Sequence, residues 1–71
     1  MNAGDAERAL REAVEASPED ATVHATLAVV LARTGRLDDA EREAEEALKR
    51  DPANAGFASN LERVRRMRRG P

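Results

Sequence analysis

The stretch "DAEREAEEALKRDPAN", residues 39–54, has a near-copy at residues 5–20, "DAERALREAVEASPED", 34 positions earlier. Asp5, Ala6, Glu7 and Arg8 match Asp39, Ala40, Glu41 and Arg42; Glu12 and Ala13 match Glu46 and Ala47; Pro18 matches Pro52. Beyond the quoted stretch the register holds, with Ala21 on Ala55, Leu27 on Leu61 and Val30 on Val64. A period of this length marks a small structural unit used more than once. Each copy is too small to bury its own apolar face, and its neighbour covers it.

What that unit is follows from the spacing of its apolar residues. Ala6, Leu10, Ala13 and Val14 recur every three or four positions, as do Val23, Leu27, Val30 and Leu31, then Leu37, Ala40, Ala44, Ala47 and Leu48, then Phe57, Leu61 and Val64. Spacings of three and four put each set on one face of an α-helix, and the Ala, Glu and Arg between them are strong helix formers. The alternation of β-branched and aromatic residues that marks strands is absent. Pro18 and Pro52 each interrupt the helical pattern, and each is followed two residues later by a good N-cap, Asp20 and Asn54. Thr34-Gly35 closes the second segment, since glycine tolerates the left-handed conformation at a helix end. The fold class is therefore all-α, with helices expected at about 4–16, 20–33, 37–50 and 54–68. Connections this short make consecutive helices antiparallel.

These residues resemble the tetratricopeptide repeat, a 34-residue helix-turn-helix unit with the pattern W-x2-L-G-x2-Y, A-x3-F and P. His24 stands in the Trp place, Leu27, Ala28 and Leu31 in the Leu, small and Tyr places, and Gly35, Ala40, Ala44, Ala47, Leu48 and Pro52 follow, with Ala44 in the Phe place. The resemblance implies antiparallel helical hairpins stacked as an α-α superhelix, and it divides the single module 1–71 into three parts. Residues 4–16 are the second helix of a partial repeat, 20–50 a full repeat, and 54–69 a C-terminal cap, since Glu62 and Arg65 put charges in the small and Tyr places.

The resemblance also implies a function, that of a protein-interaction or scaffold module holding partner segments on a concave face lined by the first helix of each repeat. Carried onto this chain, that face comprises Thr22, Ala25, Val29, Ala32 and Arg33 with Ser59, Arg63 and Arg66. The Lys and Asn with which some members grip a peptide carboxylate are replaced by Ala25, Val29, Ser59 and Arg63, so a carboxylate clamp is not expected. A short amphipathic segment with an acidic end fits better. A rival reading starts from the first helix, whose companion is not in the sequence: the stripe Ala6, Leu10, Ala13 and Val14 is expected to be covered by a second copy, giving a homodimer, or by further repeats upstream.

Chemistry has little to work with. His24 is the sole histidine and there is no cysteine or tyrosine, so neither a nucleophile-histidine-acid set nor a His/Cys metal site can be assembled. No enzyme activity, cofactor or metal is expected, and His24 reads as a packing residue. The glycines form no phosphate-binding fingerprint, and "DPANAG" at 51–56 lacks calcium-loop spacing. Charged residues make up 37% of the chain yet nearly cancel, to a net charge of -2. The acids are massed at Asp38, Asp39, Glu41, Glu43, Glu45 and Glu46, and the bases at Arg63, Arg65, Arg66, Arg68 and Arg69. If the third and fourth helices run antiparallel, these two blocks face one another. The basic tail has no aromatic residue to stack on bases, so nucleic acid is a disfavoured partner, and weak electrostatic binding of RNA or another polyanion by the Arg-rich tail stands third after peptide binding and self-association. No apolar run reaches membrane-spanning length, and "MNAGDAERAL" lacks the basic start and apolar run of a secretory signal, so a cytoplasmic location is expected.

Overall fold

The computed structural model describes residues 3–70 and contains four helices: α1 (Ala3–Ala16), α2 (Ala21–Arg33), α3 (Leu37–Arg50) and α4 (Ala55–Arg69). Each expected boundary is met to within a residue, for the reasons of local chemistry already given. Asp20 caps α2, its carboxylate accepting from the backbone N–H groups of Thr22 at 3.0 Å and Val23 at 3.4 Å. Asn54 caps α4 by accepting from the Phe57 N–H at 3.0 Å. Between α2 and α3 the chain turns on Gly35, whose φ of 82° only glycine adopts without strain, while the Arg36 N–H reaches back to the Leu31 carbonyl.

The sequence repeat is also a repeat of hydrogen bonds. Ser17 N–H donates to the Ala13 carbonyl and Asp20 N–H to Ser17; 34 positions on, Asp51 N–H donates to Ala47 and Asn54 N–H to Asp51. The two proline turns are thus closed by the same hydrogen-bond pattern.

Helix α2 lies at the centre, packed on α1, α3 and α4, while α3 packs on α4. Leu27 and Leu31 of α2 are fully buried and meet Ala40 of α3 and Val64 of α4, with Leu10 and Val14 of α1 completing this cluster. A second cluster joins Ala28, Ala44 and Leu61, with Leu48 at its edge. The buried face of α3 consists of Ala40, Ala44 and Ala47. Such small side chains let α3 lie close against α2, so the core is made of close backbone approach rather than bulky side chains. The result is a slab of 34 × 29 × 16 Å.

Opposite charges hold the outer seam. Arg65 Nε donates to Glu41 at 2.8 Å and its Nη2 to Glu45 at 3.2 Å; Arg68 reaches Asp38 at 2.8 Å and also pairs with Glu41. The acidic block of α3 therefore does face the basic block of α4. Beside it, at the start of α3, Arg36 joins Glu7 of α1 to Asp39 of α3.

Candidate partner-binding groove

Helices α2 and α4 are related by the 34-residue repeat, and a groove runs along the seam between them. One end is a depression of about 230 Å³ whose floor is Ala28, Val29, Ala32, Val64 and Met67. Asn60, Arg33 and Arg63 border it. The other end, about 280 Å³, is lined by Thr22, Ala25, Thr26, Val29, Phe57 and Asn60. Val29 and Asn60 border both, so the two depressions adjoin along the seam. The groove's walls are apolar with a few polar groups at the rim, the usual make-up of a binding site.

The sequence-predicted face divides on this geometry. Thr22, Ala25, Val29, Ala32, Arg33 and Arg63 line the groove. Ala25 is buried rather than presented, and forms floor. Ser59 and Arg66 line neither depression. Successive helix positions are 100° apart, and the side of α4 turned to α2 carries Phe57, Asn60, Val64 and Met67, which rotates Ser59 and Arg66 away. Arg66 instead pairs with Glu62 on its own helix at 3.4 Å. Asn60 and Met67 went unnoticed in the sequence, although both stand three or four positions from Val64 and so share its side. Met67, 44% exposed, is the one large hydrophobic side chain left open among the described residues.

Charge at the rim is one-sided. Arg33 and Arg63 form no ion pair among the described residues, whereas Arg65 and Arg68 on the far side of α4 are engaged by α3. The groove thus offers two unneutralised guanidiniums beside an apolar floor.

The stripe on α1 is half-buried throughout. Leu10 and Val14 are turned into the core against α2, and it is Ala9 and Ala16 on the neighbouring flank that are exposed.

His24 occupies a different place, on the side of α2 turned to α3. It is 4% exposed, with Nδ1 at 2.8 Å from the Glu43 carboxylate and Nε2 at 2.6 Å from the Pro18 carbonyl. Packing alone, as read from the sequence, understates this residue: it is hydrogen-bonded at both ring nitrogens. No group of three or more His, Cys, Asp or Glu side chains suited to a metal ion occurs among the described residues. No helix among them is long and apolar enough to cross a membrane.

Consecutive antiparallel helices related by a 34-residue repeat, with a groove between α2 and α4, define a helical-repeat fold. A family model for the tetratricopeptide repeat matches residues 2–63, and the chain belongs to that family. No curated protein and no solved structure matches it at a significant level. Repeats of this family act in protein–protein interaction and scaffolding and are typically non-catalytic.

Proposed function

We propose that the module holds a short segment of a partner protein in the α2/α4 groove, and that this segment places a bulky apolar side chain next to an acidic residue. The observation that carries this reading is the pairing of an apolar depression of about 230 Å³ with Arg33 and Arg63, which have no acid of their own. That volume exceeds the roughly 150 Å³ known to admit a benzene ring, so one large side chain fits. Desolvating a guanidinium beside apolar surface makes an incoming carboxylate worth more than it is in open water.

A phage-displayed library of random heptapeptides tests this directly. Selection is expected to enrich Leu, Ile or Phe adjacent to Asp or Glu, and synthetic peptides of that type are expected to saturate the protein. Val29→Glu abolishes binding by placing a charge in the floor, and Arg63→Glu weakens it about tenfold or more, the scale of one lost charge-assisted contact. Enrichment of basic sequences, or of none, rejects the reading.

A second reading, a homodimer through the open flank of α1, is supported by α1 lying against α2 alone among the helices. Because Leu10 is part of the core, Leu10→Glu disturbs folding as well as any interface. Ala9→Glu, on the exposed flank, separates the two. Sedimentation of the 7.7 kDa chain beside the peptide titration distinguishes dimer from peptide receptor.

A further inference from the structure

His24 is the only histidine of a chain that has no cysteine or tyrosine, and it sits between three elements. Its ring is held on α2, its Nδ1 faces Glu43 of α3 at 2.8 Å, and its Nε2 faces the Pro18 carbonyl, in the turn between α1 and α2, at 2.6 Å. Both partners are acceptors only. A neutral imidazole carries one N–H, so it can donate to one of them and must turn a lone pair on the other. Only the doubly protonated ring satisfies both.

We propose that His24 is a proton-operated latch, which in its doubly protonated form ties the α1–α2 turn to α3 and on losing one proton releases that turn. Which bond fails is set by charge. Glu43 is an anion and keeps the remaining N–H, which leaves the Nε2 lone pair facing the Pro18 carbonyl at a distance suited only to a hydrogen bond. The carbonyl must withdraw, and the turn moves with it. That turn is closed by two further bonds, Ser17 N–H to Ala13 and Asp20 N–H to Ser17, which fix how α1 meets α2.

The latch titrates where it can be used. Burial pulls the imidazole down more than any other single influence, yet the hydrogen bonds the ring donates to Glu43 and Pro18 and the charge of Glu43 together outweigh it, against a smaller opposing effect of Arg50, and the ring lies above its ordinary value of 6.5. Arg50 is itself drawn off by Glu46 on α3 at 3.2 Å. On its own helix the nearest acid, Asp20, is committed to capping the N–H groups of Thr22 and Val23. From α1 it is Leu10 and Val14 that pack into the core shared with α2, and both are uncharged. No other side chain in the chain has an ordinary pKa between about 5 and 9, so a side-chain response to pH in the neutral range belongs to this ring.

An NMR titration of the intact protein from acid to alkaline pH reads the latch out. Below its midpoint both ring nitrogens of His24 are expected to carry protons, the midpoint is expected above 6.5, and the Ser17 and Asp20 amides are expected to shift with it. Exchange protection of those two amides falls about tenfold or more across the transition, the consequence of one lost charge-assisted bond, while amides in the middle of α3 keep theirs. Glu43→Gln lowers the midpoint, and His24→Phe, which fills the space without titrating, leaves the turn indifferent to pH. A wild-type midpoint at or below the ordinary value overturns the proposal, as do turn amides that ignore the His24 transition; both tests use the unaltered chain and do not depend on either variant folding.

Discussion

Alanine decides how this chain packs. At Ala44, 1% exposed, the family pattern has an aromatic ring, but here α3 has closed onto Ala28 of α2 and Leu61 of α4 until no such ring fits. Restoring the family's residue is therefore harmful: Ala44→Phe must push α3 outward, and overpacking of this kind costs about 1–3 kcal/mol or more. A lower urea midpoint for that variant, with the slope of the transition unchanged, is the expected result. The same logic explains what was legible at this scale. Most inward-facing residues followed from spacing, since Leu27, Leu31, Ala40, Ala44, Ala47, Leu61 and Val64 are all buried, whereas the buried Ala25 and Ala28 lie outside the stripe of α2. The His24–Glu43 pair was not legible, because spacing records polarity and not the partner a polar group will find. One trace of it exists: the positions one repeat away from both, Ala58 and Ala9, are alanine, so this pair belongs to the central hairpin only.

Helices differ in what holds them. Leu27 and Leu31 anchor α2 by burial, worth roughly 1.5–3 kcal/mol for each such side chain, and burial is indifferent to moderate salt. In contrast, α4 buries only Leu61 and Val64 and relies on Arg65 and Arg68 reaching across to Asp38, Glu41 and Glu45. Raising NaCl from about 0.01 M to about 1 M shortens the Debye length from roughly 30 Å to roughly 3 Å. Amides in the last turns of α4 are expected to lose exchange protection over that range while those of α2 hold, and Arg68→Ala reproduces the loss at low salt. Equal behaviour of the two helices contradicts this division. Helix ends and the facing of acid on base could be read from the sequence, because prolines, caps and charge blocks act locally or at long range without needing exact geometry. The rotation of α4 about its axis could not. The helix presents one apolar face at Phe57, Leu61 and Val64, and only packing against both α2 and α3 shows that the flank bordering the groove is the one that carries Asn60 and Met67 rather than Ser59.

For the molecule as a whole, the outer helices are fastened by carboxylates and the turn between α1 and α2 by His24, and the two kinds of group respond to pH in opposite directions. Glu7 accepts from Arg11 on its own helix and from Arg36 at the start of α3, and those two hydrogen bonds hold its carboxyl below the ordinary 4.5; Glu41 is held below 4.5 chiefly by its hydrogen bond from Arg65, with Arg68 adding to it against the effect of burial. A carboxylate whose pKa falls on folding stabilises the fold fully above its unfolded value, and the contribution is lost as pH drops through the folded one. Acid therefore loosens both α1 and α4. His24 has the reverse sense: burial notwithstanding, its bonds to Glu43 and Pro18 raise it above 6.5, so its contribution is complete below 6.5 and is lost as pH rises through the raised value. The two limbs leave a plateau of greatest stability between 4.5 and 6.5. Urea midpoints measured from pH 3 to pH 9 are expected to form that plateau, with an acid limb that salt flattens, because Glu7 and Glu41 sit at the surface seam, and an alkaline limb that salt barely alters, because His24 is buried. His24→Phe removes the alkaline limb alone. A profile that keeps rising from pH 6 to pH 9 contradicts the assignment of that limb to a histidine protonated at both nitrogens.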